Sequence, residues 1–354
     1  MTERHVSPID LPGHRVGPGE PPFVIAEVSG NHNGSLERAL EIIDAIAASG
    51  AHAVKFQTYT ADTLTIDAAG PQFRIRSGHD LWGGRTLHDL YDEAHTPWEW
   101  HAPMFERARG HGLLPFSSPF DPTAVELLES LDCAVYKIAS AEVVDLPLIR
   151  EVAGTGKPMV ISSGMATIGE IDAALEAARE GGCTQMVLLA CTASYPADPA
   201  DARLLSIPTL REAFGIPIGL SDHTAGIGVS VAAVALGAVA VEKHVTLRRD
   251  DGGVDSDFSL EPDELAALVR ETAAARLAVA PPRFGPTEAE RDTLALRRSL
   301  YVVADVRAGD PVTAANVRSI RPAGGLPTDT FASVVGRSFT RDVERGTPLT
   351  WDLI

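Results

Sequence analysis

The chain has four lysines, Lys55, Lys137, Lys157 and Lys243, and carries the rest of its positive charge on arginine. Lys55, Lys137 and Lys243 fall inside short β-branched, apolar runs, where lysine is depleted. Strand alternation would turn Val54 and Phe56 toward one face and Lys55 and Gln57 toward the other. Lys137 is followed by Ser140 and Glu142 at the end of its own run. Each lysine could be only the buried partner of a carboxylate such as Glu27. Two at the mouth of one sheet predict a site for an anion instead.

Hydroxyls recur at the same strand ends: Ser117 and Ser118, Ser140, Ser162 and Ser163, Thr192 and Ser194, and Ser221. Singly each reads as a loop-capping residue, but their recurrence suits phosphate and carboxylate oxygens. His223, in Ser-Asp-His-Thr, and His244, in Glu-Lys-His, end two successive strand-like runs. A lone histidine there would be a hydrogen-bonded core residue or a general base. A pair on adjacent strands can hold one divalent ion and leave positions open for water or substrate. His5, His14 and His111 lie in tails or on helical surfaces and receive no role; His32, after the first strand, could line the site, although turn chemistry alone explains its neighbours.

The elements that must position these residues read as alternating strands and helices. Strands are predicted at Phe23 to Val28, Ala53 to Thr58, Leu113 to Ser118, Ala134 to Ser140, Pro158 to Ser163, Gln185 to Cys191, Ile216 to Ser221 and Val239 to Thr246. Helices fit at Ser35 to Ser49, Trp98 to Arg109, Thr123 to Ser130, Leu146 to Ala153, Ile168 to Arg179, Ala202 to Ala213, Gly226 to Leu236 and Pro262 to Ala278. Thr167 and Glu170 form a capping-box signature before one of them. Eight βα units in about 250 residues have the rhythm of a TIM (β/α)8 barrel. An open doubly wound sheet is the alternative, but no GxGxxG opens the first helix. A long insertion, Tyr59 to Pro97, follows the second strand with Trp82, Gly83, Gly84 and Arg85 inside it, and is expected to act as a lid.

Composition changes at Ala280 to Pro286. The expected organisation is a barrel over 1–279, a linker over 280–295 and a small β domain over 296–354. Within that domain Asp305 to Thr313 and Asp342 to Thr350 share the pattern D-V-x-x-G-x-P-x-T, which predicts a pseudo-symmetric unit, small enough to require packing on a barrel.

A net charge of −18 over 354 residues argues against nucleic acid and anionic membranes as partners. Three cysteines without CxxC spacing, Cys133, Cys183 and Cys191, read as buried thiols in a reducing compartment. With no signal-like N-terminus, and with the longest apolar run (near Val229 to Val241) too short to span a bilayer, the expectation is a cytoplasmic protein.

Taken in order, IAEVSGNHNGS (Ile25 to Ser35), VKFQTYT (Val54 to Thr60), FSSPFD (Phe116 to Asp121), YKIASAE (Tyr136 to Glu142), ISSGMAT (Ile161 to Thr167), CTASYP (Cys191 to Pro196), GLSDHT (Gly219 to Thr224) and EKHVT (Glu242 to Thr246) resemble the sialic acid synthase family. The tail, with SIRPAGG (Ser319 to Gly325), resembles that family's antifreeze-protein-like (SAF) domain. LWGGRTLHDLYDEAHTPWEWH (Leu81 to His101), GGVDSDFSLEP (Gly252 to Pro262) and RRSLYVV (Arg297 to Val303) are similar to the pseudaminic acid branch rather than the N-acetylneuraminate or legionaminate branches. Ala193 departs from the pattern, since relatives often carry Asn or Ser there.

The resemblance implies an enzyme that condenses phosphoenolpyruvate with an acetamido sugar, 2,4-diacetamido-2,4,6-trideoxy-L-altrose in that branch and N-acetylmannosamine or another acetamido sugar in the others. It implies that Lys55, Lys137, Ser140, Ser162 and Ser221 hold phosphoenolpyruvate, with Ser118 and Glu142 also facing substrate. His223 and His244 would bind a divalent metal, Mn2+ or else Mg2+ or Co2+. Glu27 and Gln57 would sit beside the reacting centre, and Tyr195 and Asp255 would contact the sugar. Arg321 would reach the barrel of a neighbouring subunit in a domain-swapped homodimer. Two rivals remain open: a Schiff-base aldolase using Lys137 or Lys55, revealed by borohydride trapping, and a non-catalytic binding protein, revealed if His223 and His244 prove dispensable.

Overall fold

The computed structural model describes residues 6–75 and 83–354. His5, and Leu81 and Trp82 of the expected insertion, lie outside the described residues. The chain forms two compact units, Met1–Ala280 and Pro281–Ile354.

The first unit opens with a hairpin, β1 (Ile9–Leu11) and β2 (His14–Val16). The sequence reading missed it, because three-residue strands joined by Pro12-Gly13 are too short to show a period. Ile9, Leu11 and Val16 are buried in the barrel's core cluster. The barrel strands are β3 (Phe23–Glu27), β4 (Ala53–Thr58), β5 (Leu114–Pro119), β6 (Tyr136–Ile138), β7 (Met159–Ser162), β8 (Met186–Cys191), β9 (Ile218–Ser221) and β10 (Ala240–His244). They close in the order β10-β3-β4-β5-β6-β7-β8-β9, with every neighbouring pair parallel. This is a TIM barrel, and its strands are covered on both faces, which is why they read as nearly continuous apolar runs.

The helices are α1 (Leu36–Ser49), α2 (Ala61–Leu64), α3 (Leu87–Ala94), α4 (Trp98–Gly110), α5 (Pro122–Ser130), α6 (Leu146–Gly154), α7 (Ile168–Glu180), α8 (Ser206–Phe214), α9 (Gly228–Ala235) and α10 (Pro262–Ala278). Their starts are chemically marked. Ser35 accepts the Arg38 N–H before α1, and Asp121 accepts those of Thr123 and Ala124 before α5. Thr167 and Glu170 form the expected capping box before α7.

Three expectations are corrected. The strand predicted over Ala134 to Ser140 is only β6, since the chain turns into a 3-10 segment at Ala141–Val144, so Ser140 and Glu142 stand on that turn. The helix predicted from Ala202 begins at Ser206, because Arg203 has a left-handed φ of 42° after a short 3-10 turn. The insertion is not a bare loop: α2, a 3-10 turn at Pro71–Phe73 and α3 occupy its described part.

Lys243 is fully buried and belongs to the scaffold rather than to the anion site. It pairs with Asp222 at 3.3 Å and donates to the Thr224 carbonyl. Asp222 also accepts from the Thr224 N–H at 2.9 Å and from the Ser230 hydroxyl at 2.5 Å. This network ties the end of β10 to the loop after β9, the two segments that carry His244 and His223. Lys243→Met leaves Asp222 buried beside no cation, and urea denaturation should show a loss of about 3 kcal/mol.

The second unit pairs β11 (Ser299–Val302) with β12 (Val317–Ile320) and contains a short helix, α11 (Phe331–Val334). Its repeat is structural. Val306 bridges Val343, the Asp342 carboxylate accepts the Ala308 N–H at 2.8 Å, and Asp305 accepts the Arg345 N–H at 2.8 Å. The repeat glycines Gly309 and Gly346 share a φ of 93°, a conformation that favours glycine. Leu300, Val302, Val317, Phe339 and Leu349 belong to the unit's separate core.

Candidate active site

The C-terminal ends of the barrel strands surround a cavity of about 500 Å³ lined by residues of the first unit. Its floor is a charged cluster. Glu27, the last residue of β3, contacts Lys55 of β4 at 2.9 Å and His244 of β10 at 3.2 Å, and accepts a hydrogen bond from Gln57 at 2.7 Å. Glu242 lies 3.3 Å from Lys55 and 3.2 Å from Lys137, and accepts the Ser221 hydroxyl at 3.0 Å. All four charged side chains of this Glu–Lys network are buried. Burial alone would raise the pKa of Glu27, but His244 when protonated, together with the charges of Lys55 and Lys137, holds it well below the usual carboxylate range. The pKa of Glu242 is likewise lowered, with Lys137 and Lys55 overcoming burial. Both carboxylates are therefore ionised at neutral pH.

Several buried polar atoms on this wall have no hydrogen-bond partner: Ser162 Oγ, Glu142 Oε2, Glu242 Oε2 and His244 Nδ1. Orphaned buried groups are costly in a folded protein, and their convergence on one cavity marks it as a place for a polar ligand. Burial raises the pKa of the Glu142 carboxyl to about 7.

The histidines suit a divalent ion by their donor geometry. His223 Nδ1 is 2.9 Å from the Thr192 carbonyl, which leaves Nε2 with a lone pair. His244 Nε2 faces Glu27, leaving Nδ1 without a hydrogen-bond partner, 3.8 Å from the Asp255 carboxylate. Each ring is thus oriented by an oxygen acceptor in the way that metal-ligating imidazoles are. Burial lowers the His244 pKa, favouring the neutral form that can ligate. The ring centroids are 5.3 Å apart. Among the described residues no group of three or more His, Cys, Asp or Glu side chains forms a metal cluster.

Of the predicted site residues, Glu27, Lys55, Gln57, Lys137, Ser140, Glu142, Ser162, Tyr195, Ser221, His223, His244 and Asp255 line this one cavity. Tyr195 packs its ring 4.4 Å from that of His223, and Asp255 accepts the Ser29 hydroxyl. Ser118 is fully buried and not among the lining residues; its hydroxyl has no partner. Arg321 is exposed on the second unit. Cys191, read as a buried thiol, is instead half-buried, 3.9 Å from His223 Nδ1, and accepts the Ser140 hydroxyl at 3.5 Å. Ala193, the departure from the pattern, lines the cavity, and a Cβ on neighbouring Gly164 would come within 2.6 Å of Ser140 Oγ.

Glu242 was missed as a site residue, although it lies two residues before His244 and strand alternation turns both to the same face. His32 is fully buried, and its Nδ1 accepts the Gly34 N–H at 3.1 Å, in keeping with a turn role.

A closed barrel with lysines and carboxylates at its floor and a histidine pair at its mouth defines a TIM-barrel enzyme site for an anionic substrate. The chain belongs to the NeuB family, whose model matches residues 42–281, and carries a SAF domain over residues 297–354. It is 40% identical over 335 residues to a pseudaminic acid synthase of Helicobacter pylori, covering 94% of this chain and 98% of that protein. It is also 40% identical to one from Campylobacter jejuni, covering 92% and 95%. Among solved structures, an N-acetylneuraminic acid synthetase from Leptospira borgpetersenii aligns with a TM-score of 0.72 at 32% identity, covering 82% of this chain and 96% of that one.

Proposed function

We propose that this enzyme condenses phosphoenolpyruvate with 2,4-diacetamido-2,4,6-trideoxy-L-altrose to give pseudaminic acid and phosphate. Two pseudaminic acid synthases, each 40% identical over more than nine-tenths of the chain, support the choice of sugar. The single observation that supports the chemistry most is the buried Glu27–Lys55–Glu242–Lys137 network directly beside His244, whose ring centroid is 5.3 Å from that of His223.

In this reading Lys55 and Lys137 bind the phosphate and carboxylate of phosphoenolpyruvate, and the Ser162 and Ser221 hydroxyls orient it. The methylene carbon of phosphoenolpyruvate attacks the sugar aldehyde, forming the new carbon–carbon bond, turning the aldehyde oxygen into an alkoxide and leaving positive charge on the neighbouring carbon that bears the phosphate ester. Glu27, fixed by Gln57 and Lys55, stabilises that positive charge and relays a proton from the water that adds to that carbon to the alkoxide oxygen. The resulting tetrahedral adduct collapses, its carbon–oxygen bond to phosphate breaks, and inorganic phosphate leaves. His223 and His244 would hold a divalent ion, Mn2+ by preference, which when bound supplies Lewis-acid polarisation of the aldehyde. No helix among the described residues is long and apolar enough to cross a membrane. We place the enzyme in the cytoplasm, where phosphoenolpyruvate is available, and as a homodimer in which Arg321 of one subunit serves the cavity of the other.

Phosphate release from phosphoenolpyruvate tests the reading. It should require the diacetamido sugar and a divalent ion and should stop with chelator. Release with N-acetylmannosamine alone would move the enzyme to the neuraminate branch.

Glu142 adds a pH dependence. With a pKa of about 7 its carboxyl is largely neutral below that pH and becomes anionic above it. A further negative charge beside an anionic substrate is unfavourable, so kcat/KM for phosphoenolpyruvate should fall as pH rises through about 7. In Glu142→Gln this alkaline limb should vanish; a limb that persists in the variant assigns the titration to another group.

A further inference from the structure

The cavity has a second surface unlike its charged floor. Along α3, Leu87, Leu90, Tyr91 and Ala94 stand at spacings of three, four and seven residues, so they form one helical stripe, and all four line the cavity. Asp89, Asp92 and Glu93 on the same helix are exposed. An amphipathic helix normally turns its apolar stripe into the protein core, yet none of Leu87, Leu90 and Tyr91 belongs to the barrel's core cluster. Leu64, at the end of α2, also lines the cavity outside that cluster.

Two aromatic residues from the barrel extend the surface. Tyr59 follows β4 and Phe120 follows β5, with ring centroids 5.2 Å apart, and Tyr59 meets Tyr91 edge-to-face at 5.9 Å. The result is a largely apolar wall, broken by the Tyr59 and Tyr91 hydroxyls, that shares no residue with the Glu–Lys network or the histidine pair.

Building on the condensation reading above, we propose that this wall receives the deoxygenated C6 end of the sugar and selects a 6-deoxy substrate over its 6-hydroxylated counterpart. A methyl group on the wall replaces water at an apolar surface, whereas a hydroxyl there gives up its hydrogen bonds to water against Leu64, Leu87, Leu90, Ala94 and Phe120 side chains that offer none in return, the Tyr59 and Tyr91 hydroxyls being the polar atoms of the wall. The discrimination available from such contacts is bounded, on the order of ten- to a hundredfold. The wall is drawn largely from the insertion after β4, so selectivity is carried by a segment separate from the strand ends that perform the chemistry.

The test compares kcat/KM for 2,4-diacetamido-2,4,6-trideoxy-L-altrose with that for the same sugar bearing a hydroxyl at C6, using the full-length enzyme with Mn2+ and phosphoenolpyruvate. The wild-type enzyme should favour the 6-deoxy sugar. Leu87→Asn should reduce the ratio by about tenfold, chiefly through the 6-deoxy sugar, and Leu64→Asn should act in the same direction. Asp92→Asn, on the exposed face of the same helix, should leave the ratio at its wild-type value. A wild-type enzyme active with both sugars at equal efficiency, or a ratio unmoved in both Leu87→Asn and Leu64→Asn, would overturn the inference while leaving the condensation intact. A wild-type enzyme that releases no phosphate with either sugar would overturn the condensation reading and this inference with it.

Discussion

Glu27→Gln is expected to lower kcat by two to four orders of magnitude, about the range that a positioned general base contributes, without raising KM for phosphoenolpyruvate. The substitution keeps the shape of the side chain and removes its charge and basicity. Glu27 is buried and holds three neighbours at once: Lys55 at 2.9 Å, His244 at 3.2 Å and Gln57 at 2.7 Å. Losing the carboxylate charge leaves Lys55 paired with Glu242 alone and with more of its charge for the substrate anion, so binding of phosphoenolpyruvate should hold or improve while turnover collapses. Steady-state kinetics with phosphoenolpyruvate varied at saturating sugar separate the two effects. A raised KM with kcat preserved would mean that Glu27 serves only to place Lys55.

His223→Ala and His244→Ala should each lower kcat by about a thousandfold, equivalent to roughly 4 kcal/mol of transition-state stabilisation. Each should also abolish measurable Mn2+ binding in calorimetry. The reason lies in the paired geometry: His223 is oriented by the Thr192 carbonyl and His244 by Glu27, and each ring keeps one nitrogen for a ligand. Groups that act as one unit are non-additive, so the double variant should be scarcely worse than either single one. Multiplicative losses, or Mn2+ affinity retained in both variants, would separate the histidines from a shared ion.

The parts of this site that were legible in the sequence are those governed by strand alternation. Lys55 and Gln57 share one face of β4 because they are two residues apart, and the same rule links Glu242 to His244, although only the histidine was picked out. Lys243, between them, falls on the opposite face and is spent on Asp222, a pairing of residues 21 positions apart in sequence that no local pattern reveals. Turns were less legible. Ser140 and Glu142 were read as following a strand four residues longer than β6, and their position on a 3-10 turn depends on packing rather than on propensity. The insertion shows the same limit. Its length and its Trp and Gly residues read as a lid-like loop, whereas Leu87, Leu90, Tyr91 and Ala94 carry a helical period within only eight residues, too short a run to stand out from the surrounding turns. The repeat in the tail was legible as a pattern, and the reciprocal Asp305 and Asp342 hydrogen bonds give it its physical content.

The most direct test of the central claim is phosphate release from phosphoenolpyruvate by the full-length enzyme with Mn2+ and 2,4-diacetamido-2,4,6-trideoxy-L-altrose, followed with and without chelator. Stoichiometric phosphate and a nine-carbon sugar acid, both lost on chelation, are the predicted result; phosphate release that is indifferent to the sugar, or no release at all, would contradict the account.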